Sequence, residues 1–288
     1  MRVEDIFAKA HAVGGRPISF EMFPPKGQMT LERARTVAQG FSRLAPDFVS
    51  VTYSAGGSGN SQATASIASL ISNDFGIPAV AHLTCAGMSR ADLDQKIAEF
   101  QQSGVQNVLA LRGDLPQGAR THDGDFPYAK DLIPHLVDAG FCVGAAAYPE
   151  GHIECDFLSA SIEHLKQKQD SGASFLVTQL FFDNEFFYRF QDAARAAGIT
   201  VPITAGIMPF MSKQQISRMV FMCGASLPSP VIKILARYEN DPQSLRAAGI
   251  DYACHQLEGL AVHGVDGLHI YTMNHQDVAQ ACMSALRG

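Results

Sequence analysis

Eight segments rich in β-branched and aromatic residues recur along the chain, separated by stretches with helical periodicity. The first seven begin roughly 30 residues apart, about the length of one strand–helix unit with its loops. Ser89 precedes one helical stretch as a predicted N-cap. Apolar strands that alternate with helices indicate a parallel sheet covered by helices. The predicted strands are residues 18–23, 48–53, 79–85, 107–114, 142–149, 175–182, 203–209 and 268–274.

Eight strand–helix units favour a closed (β/α)8 (TIM) barrel over an open doubly wound sheet, which remains the alternative. The interval before the last strand is about twice as long as the others. It has room for an additional helix around residues 244–262, after a proline break at 228–230. No interdomain linker or low-complexity tract interrupts the pattern, so residues 1–288 are expected to form a single domain.

Composition excludes several classes of function. A net charge of −6 without a cluster of lysine and arginine makes nucleic acid a poor partner. No apolar run is long enough to cross a membrane, and the N-terminus lacks the apolar core of a signal peptide, so a cytoplasmic protein is expected. The six cysteines form no CxxC pair, which favours reduced thiols over structural zinc or disulfides.

Polar residues gather at the C-terminal ends of the predicted strands, whereas the strand starts are mostly aliphatic. In a barrel of this kind, function lies at the C-terminal ends and stability at the N-terminal ends. This polarity predicts an enzyme. The residues at these ends are Glu21, Thr52, Tyr53, His82, Thr84, Arg112, Gly113, Asp114, Tyr148, Gln179, Tyr271, Thr272, Met273 and Asn274.

The first predicted strand places one carboxyl group, that of Glu21, among apolar neighbours. Side chains alternate along a strand, so Glu21 shares one face with Ser19 while Phe20 lies on the other. The prolines at positions 24 and 25 end the strand just beyond Glu21. A lone buried carboxyl group is costly unless it is paired or chemically useful. Glu21 is therefore either a general acid or the ion-pair partner of an arginine such as Arg112.

Two further strand ends carry candidate groups. Arg112 and Asp114 are predicted to share a strand face, separated by Gly113, which permits close backbone approach. They either contact a ligand or form a structural ion pair at the barrel rim. His82 has no second histidine or carboxylate cluster beside it in sequence. It is predicted to form hydrogen bonds and not to bind a metal ion.

Three other features each have two interpretations. Gln179, an amide in an otherwise apolar strand, either recognises a polar heterocycle or caps the backbone. Ser161, His164 and Lys168 share one helix face, which is either solvated or in contact with phosphate groups. The glycine-rich segment 54–60 fits neither common nucleotide-binding motif, and a flexible turn is the simpler interpretation.

Read together, these segments resemble the methylenetetrahydrofolate reductases, flavin enzymes of one-carbon metabolism. The similarity runs from about residue 17 to the C-terminus, in order and with few gaps. The runs SFEMFPPK and ALRGDLP are the most specific matches. The other matching runs are FVSVTY, AHLTC, AAYPE, TQLFFD, AGIMP and IYTMN.

The resemblance implies a barrel that binds FAD non-covalently at its C-terminal face, without a Rossmann motif. It also implies ping-pong turnover. NADH or NADPH reduces the flavin and leaves, and 5,10-methylenetetrahydrofolate then takes the hydride to give 5-methyltetrahydrofolate. Glu21 matches the family's acid, which protonates the leaving amine nitrogen of the folate. Asp114 matches a residue whose negative charge would favour a cationic intermediate. A homodimer or homotetramer is the family expectation.

The resemblance also assigns binding roles to individual positions, and it implies no metal ion. For the helix face that includes Lys168, it favours phosphate contact over a solvated surface. Positions expected to contact FAD are Thr52, Tyr53, Ala55, His82, Arg112, Gly113, Asp114, Ala129, Tyr148, His152, Ser161, His164, Gln167 and Lys168. Positions expected to contact substrate are Glu21, Thr52, Asp114, Gln179, Gln215, Met219, Tyr271 and His275.

Five of these positions depart from the bacterial members of the family. Ser161, His164 and Gln167 stand where aspartate, asparagine and arginine occur. Met219 stands where an aromatic side chain is common, and His275 where an arginine is common. The sequence also shows no counterpart of the S-adenosylmethionine-binding regulatory domain of the eukaryotic members, so no inhibition by that ligand is expected.

Three other functions suit a barrel of this kind. A flavin-dependent oxidoreductase of the proline dehydrogenase type is disfavoured by the runs FPPK and ALRGDLP. A Schiff-base aldolase would need a lysine at an inner strand end, and none of the eight predicted ends has one. A non-catalytic flavin- or folate-binding module would have no use for the carboxyl group of Glu21.

Overall fold

The computed structural model describes residues 1–24, 30–53, 61–114 and 123–288. Its strands are β1 (Ile18–Met22), β2 (Phe48–Val51), β3 (Ala79–Thr84), β4 (Asn107–Leu111), β5 (Cys142–Ala147), β6 (Phe175–Thr178), β7 (Ile203–Ile207) and β8 (Gly267–Ile270). All pair in parallel in chain order, and β8 pairs with β1, so the sheet closes without an edge. The predicted barrel is confirmed, and the open doubly wound sheet is excluded.

Helices follow the strands around the outside of the barrel, and three of them lie between β7 and β8. The predicted helix at 244–262 is confirmed, and a further helix begins inside the predicted break, where its first turn tolerates proline. Within the described residues the helices are α1 (Val3–Ala12), α2 (Thr30–Ser42), α3 (Ser61–Phe75), α4 (Arg90–Gln102), α5 (Ala129–Asp138), α6 (Leu158–Asp170), α7 (Asn184–Ala196), α8 (Lys213–Cys223), α9 (Ser229–Arg237), α10 (Pro242–His263) and α11 (Gln276–Arg287).

The start of helix α4 lies where the sequence predicts it, directly after Ser89. The Ser89 hydroxyl accepts a hydrogen bond from the backbone nitrogen of Asp92 at 3.2 Å, and the Asp92 side chain accepts one from the backbone nitrogen of Ser89 at 3.0 Å. This reciprocal capping box satisfies two backbone donors at the start of α4. The predicted N-cap is confirmed.

All eight strands end one to four residues earlier than predicted. The clearest case is β4, where Gly113 has a φ of 84°, a conformation that turns the chain out of the sheet. A Cβ atom on Gly113 would lie 2.8 Å from the Cβ of Thr84, so the position also requires glycine for space. Arg112 and Asp114 therefore lie in the loop after β4. The prediction that they share a strand face is wrong.

Helix α1, which the strand–helix pattern did not predict, closes the N-terminal end of the barrel. Val3 and Phe7 are buried in an apolar cluster formed with residues from the strand starts. The ring of Phe7 lies 6.4 Å from that of Phe48, which lies 6.3 Å from that of Phe175. The backbone nitrogen of Val3 donates to the side-chain oxygen of Asn107 at 2.8 Å. The barrel thus has an apolar floor, and its polar interior lies toward the other end.

None of the helices in the described ranges has the length and apolarity that a membrane span requires.

We expect Phe7→Ala to lower the free energy of unfolding by about 3–5 kcal/mol, because it opens a cavity in the barrel floor. Val13→Ala, at a residue that is 83% exposed at the end of α1, is the matched control and should change stability by less than about 0.5 kcal/mol. Urea denaturation measures both. Equal stabilities of the two variants would contradict the role given to α1.

Candidate active site

Glu21 lies at the C-terminal end of β1, one residue before the strand ends, with its side chain in the barrel interior. The predicted faces are confirmed: Ser19 also faces the interior, whereas Phe20 packs against Phe41 of α2, with ring centroids 5.1 Å apart. The residue is 7% exposed. The nearest cationic candidates are two imidazoles, and no arginine pairs with it among the described residues. The ion pair with Arg112 is therefore ruled out.

Two histidines flank the carboxyl group of Glu21. The Nε2 atoms of His82 and His269 each lie 3.9 Å from its Oε2 atom, too far for a hydrogen bond. The position of His269 is fixed by Ser19, near the start of β1, because its Nδ1 lies 2.8 Å from the Ser19 hydroxyl oxygen. Its Nε2 lies 3.5 Å from the hydroxyl oxygen of Ser50. Glu21 thus lies among polar groups that are too far from its carboxyl group to hydrogen-bond to it.

His82 is the less satisfied of the two imidazoles. Burial lowers its pKa to about 4, although the charge of Glu21 works in the opposite direction. The ring is therefore neutral near pH 7. Its Nε2 atom is buried and has no hydrogen-bond partner among the described residues. A buried nitrogen without such a partner suits a polar atom of a ligand.

Arg112 makes an ion pair that the sequence did not predict. Its Nη1 and Nη2 atoms donate to the two carboxylate oxygens of Glu154 at 2.5 and 2.7 Å. This bidentate contact raises the pKa of Arg112 and lowers the pKa of Glu154. The predicted alternative of a rim pair between Arg112 and Asp114 is wrong, since Asp114 is exposed and Glu154 occupies the guanidinium.

A cleft runs from Arg112 along α6. It collects most of the positions that the family resemblance assigned to FAD. Seven residues without an earlier assignment also line it: Ala110, Leu111, Tyr128, Lys130, Ala146, Glu154 and Cys155. The assigned residues in its lining are Arg112, Ala129, Tyr148, His152, Ser161, His164, Gln167 and Lys168.

Lys168 is the most constrained group in this cleft. Its Nζ atom donates to the backbone oxygen of Ala146 at 2.9 Å and lies 5.3 Å from the ring centroid of Tyr148. Burial lowers the pKa of Lys168 to about 8, so the amine is still mainly protonated at pH 7. A solvated helix face does not describe this residue. The position fits a cation held ready for an anionic ligand.

The rest of the helix face is mixed. Ser161 is buried, and its hydroxyl accepts a hydrogen bond from the backbone nitrogen of His152 at 3.2 Å. His164 and Gln167 are exposed. Gln167 accepts from the Nζ atom of Lys130 at 2.8 Å, and the Nδ1 atom of His164 lies 3.7 Å from the Cys155 thiol. The interpretation of a solvated face is thus wrong for Ser161 and Lys168 and agrees with the exposure of His164.

A second groove continues from the same arginine toward Asp114. It shares Arg112, Tyr148, His152 and Glu154 with the cleft along α6. Its other lining residues are Asp114, Ile153, Gln179, Met222 and Cys223. Positive groups therefore lie toward α6, and the carboxylate of Asp114 lies at the opposite end.

Gln179 follows β6 and does not lie within the strand, as had been predicted. Its Oε1 atom accepts from the backbone nitrogen of Leu180 at 2.9 Å, which agrees with the backbone-capping interpretation. The side chain nevertheless lines the second groove. Gln215 also binds the backbone: its Oε1 accepts from the backbone nitrogen of Met211 at 2.7 Å, while its buried Nε2 has no partner among the residues that the structure describes. Both amides can thus hold the backbone and still offer groups to a ligand.

The remaining assigned positions are less informative. The Tyr271 hydroxyl donates to the backbone oxygen of Thr178 at 2.6 Å, and burial raises the pKa of Tyr271. Met219 packs on the apolar cluster that includes Tyr271. Thr52 and Tyr53 directly follow β2, and His275 is an exposed residue at the start of α11. Ala55 and the rest of the segment 54–60 lie outside the described residues.

Sequence reasoning missed His269, the residue that contacts both Ser19 and Ser50. The signal was present, because side chains alternate along a strand and His269 is two residues before Tyr271, which had been selected. Glu154 left no comparable signal, since its contact with Arg112 spans 42 positions of sequence.

Known proteins of one family resemble this chain over nearly its whole length. The sequence model of the methylenetetrahydrofolate reductase family matches residues 7–287. A 5,10-methylenetetrahydrofolate reductase from Pectobacterium carotovorum is 36% identical over 270 residues, covering 93% of this chain and 89% of the relative. The enzyme of that name from Escherichia coli K12 is 34% identical, with 96% and 93% covered.

Eukaryotic relatives are longer. Methylenetetrahydrofolate reductase 1 from Schizosaccharomyces pombe is 35% identical, and the match covers 93% of this chain but 45% of that protein. The chain spans about half the length of such relatives.

Among solved structures, a protein from Clostridium thermocellum that binds two copies of 5-methyl-5,6,7,8-tetrahydrofolic acid superposes with a TM-score of 0.63. The match covers 98% of this chain and 96% of that one at 14% identity, a likeness that concerns the fold alone. The family match, by contrast, extends over nearly the whole sequence, including Glu21, Arg112 and the α6 face. This chain therefore belongs to the methylenetetrahydrofolate reductase family.

Proposed function

We propose that this protein is an FAD-dependent oxidoreductase that reduces 5,10-methylenetetrahydrofolate to 5-methyltetrahydrofolate, with NADH or NADPH as the reductant. The observation that carries the proposal is the buried carboxyl group of Glu21, for which the described residues offer no ion-pair partner other than two imidazoles at 3.9 Å. A groove at the barrel mouth has cations at one end. Family membership supports reduction of the folate, and the electrostatics of the groove support the roles below.

The groove fits an anionic cofactor on the residues present. Lys168 and Arg112 supply positive charge in one cleft, and the unpartnered Nε2 of His82 offers a polar contact deeper in the barrel. When bound, FAD would supply the hydride-transfer chemistry that links the nicotinamide to the folate. Lys168 would hold the cofactor's negative charge, and Arg112 would do so when Glu154 moves aside.

Glu21 would act on the folate as a proton donor. The bridge of 5,10-methylenetetrahydrofolate opens when one carbon–nitrogen bond breaks, and the departing nitrogen then needs a proton. Glu21 would transfer its carboxyl proton to that nitrogen. His269, fixed by Ser19 and Ser50, would keep the carboxyl group in place. The exposed carboxylate of Asp114 would stabilise the iminium cation left on the folate carbon.

Two amides would orient the reactants. The buried Nε2 of Gln215, which no described residue pairs with, would donate to the substrate. Gln179, on the groove wall, would contact the folate and, in the other half-reaction, the nicotinamide. Because both ligands would use the same wall, they would bind in turn, which is the basis for proposing ping-pong kinetics. Met219, Tyr271 and His275 would complete the substrate side.

We also propose that residues 1–288 act as one catalytic domain in the cytoplasm, as a homodimer or homotetramer, without nucleic acid or membrane as partner. Small-angle scattering at several concentrations would measure the assembly.

Anaerobic stopped-flow absorbance tests the proposed activity. NADH or NADPH should bleach the flavin of the reconstituted protein, and methylenetetrahydrofolate should restore its colour. The nucleotide that bleaches faster is the preferred reductant. Recolouring by another oxidant but not by the folate would contradict the proposal and point to a different flavin enzyme, which proline as reductant would then test for the proline dehydrogenase type.

Glu21→Gln should separate the two half-reactions. The variant has no acidic proton, so reoxidation by the folate should slow by about 10²–10⁴-fold, a range typical of general acid catalysis. Bound flavin and its reduction by the nucleotide should remain within about threefold of the unaltered protein. Glu163→Gln, an exposed position on α6, is the charge-matched control. Equal slowing of both half-reactions would remove Glu21 from the proton-donor role.

Lys168→Met should weaken FAD binding by at least about tenfold, measured by quenching of flavin fluorescence, because it removes the buried cation of the cleft. Lys166→Met, on the same helix but paired with Asp170 at the surface, is the matched control and should bind FAD normally. Identical affinities of the two variants would place the cofactor elsewhere.

The pH dependence of FAD affinity provides a second test of Lys168. Its pKa of about 8 means that raising the pH from 7 to 9 removes the positive charge. Affinity should therefore fall over this range in the unaltered protein and stay level in Lys168→Arg, whose guanidinium remains charged. A parallel decline in both proteins would assign the effect to another group.

A further inference from the structure

Two half-buried thiols line the continuous groove at the barrel mouth, and the charged groups that distinguish their surroundings differ in sign. Arg112 and its partner Glu154 line both parts of the groove, whereas Cys155 lies in the cleft along α6 that also contains the amine of Lys168. Cys223 lies in the second groove, which contains the carboxylate of Asp114. Positive surroundings favour a thiolate and negative surroundings oppose it. The two thiols should therefore differ strongly in reactivity although they share one opening.

Cys155 has a base within reach. Its Sγ atom lies 3.7 Å from the Nδ1 atom of His164, one of the exposed residues on α6. The backbone nitrogen of Cys155 donates to the backbone oxygen of His152 at 2.8 Å, which fixes the thiol in a turn before the helix. A thiol beside an imidazole can pass its proton to the ring and become a nucleophile. Lys168 is close enough that a Cys155 thiolate would raise the pKa of its amine.

Cys223 has the reverse environment. Burial, together with the charges of Asp114 and Glu21, raises its pKa to about 11. Cys223 is thus an internal control: its rate of modification measures how easily a reagent enters the groove, because no imidazole contact is found beside its thiol among the described residues. Cys254 contacts Cys282 between α10 and α11 and lies outside both grooves.

We propose that Cys155 and His164 form a reactive thiol–imidazole pair that takes up a low-molecular-weight disulfide, and that the adduct closes the cleft to its anionic ligand. That this ligand is FAD rests on the proposed function. The cleft has a volume of about 270 Å³. An adduct of the size of a tripeptide such as glutathione, attached to the wall of the cleft, would therefore leave little room for a second ligand. The adduct would also place new carboxylates beside Arg112 and Lys168.

The chemistry is a thiol–disulfide exchange. His164 accepts the proton of Cys155, and the thiolate attacks one sulfur of the disulfide. A new sulfur–sulfur bond forms to Cys155, the original disulfide bond breaks, and the departing thiolate takes the proton from the imidazolium. The Cys155 sulfur is oxidised and the departing sulfur is reduced, so no other oxidant is needed. An excess of free thiol reverses the exchange.

Glutathione disulfide, added to the FAD-free protein, tests the first part of the proposal. Mass spectrometry of peptides should find the adduct on Cys155 at least about tenfold faster than on Cys223. His164→Gln should slow modification of Cys155 several-fold and leave the rate at Cys223 unchanged. Preferential modification of Cys223 or Cys254, or no effect of His164→Gln, would overturn the thiol–imidazole pair whether or not the protein binds FAD.

FAD binding, followed by flavin fluorescence, tests the second part. The modified protein should lose at least about tenfold in affinity, dithiothreitol should restore it, and saturating FAD should protect Cys155 from modification. In Cys155→Ser, the same treatment should leave that variant's own affinity unchanged. Unaltered affinity after complete modification of Cys155 would overturn the closure. If the untreated protein does not bind FAD, both the proposed cofactor and the proposed closing of the cleft to FAD are wrong. The mass spectrometry of peptides still tests whether Cys155 and His164 form a reactive pair.

Discussion

The structure depends on how one carboxyl group is buried at the open end of a closed barrel. Glu21 sits in the interior beside two imidazoles whose Nε2 atoms lie 3.9 Å from its Oε2 atom, beyond hydrogen-bonding distance. Burying such a group is unfavourable unless surrounding dipoles and hydrogen-bonding groups compensate. Ser19 and Ser50 serve that purpose through His269. The apolar floor built by α1 closes the N-terminal end of the barrel, so the polar interior around Glu21 lies toward the C-terminal end.

The groove itself divides its charges. Lys168 and Arg112 lie toward α6, and Asp114 and Glu21 lie toward the barrel axis. An anionic cofactor and a cationic intermediate can therefore be stabilised at opposite ends of one site. Glu154 fits this division as a replaceable partner. Its side chain is 55% exposed while that of Arg112 is 18% exposed, so the pair can open at the cost of a largely solvated contact.

Local patterns in the sequence were sufficient for the barrel, its strand order and the N-cap at Ser89, because each depends on periodicity or on neighbours three residues apart. They also located Glu21. They could not supply helix α1 as the barrel floor, since its packing on Phe48 and Phe175 is a long-range contact. The Arg112–Glu154 pair is of the same kind, whereas strand alternation contained the signal for His269. The strand ends were overestimated because apolar residues continue past some of them, as residues 180–182 do after β6, and because Gly113 turns the chain after β4.

The departures on α6 acquire a physical meaning from these contacts. Departures from the family were expected at His164 and Gln167, and both side chains are engaged in the structure. Gln167 holds the amine of Lys130, and His164 faces the thiol of Cys155. The positive charge of the cleft is therefore supplied by its lysines and Arg112, while the helix contributes neutral groups. A cofactor bound here would lose contacts to helix side chains without losing the charge that attracts its phosphates. Such a change should alter the affinity of the site more than the chemistry at Glu21, which is buried in the barrel and does not line the cleft along α6.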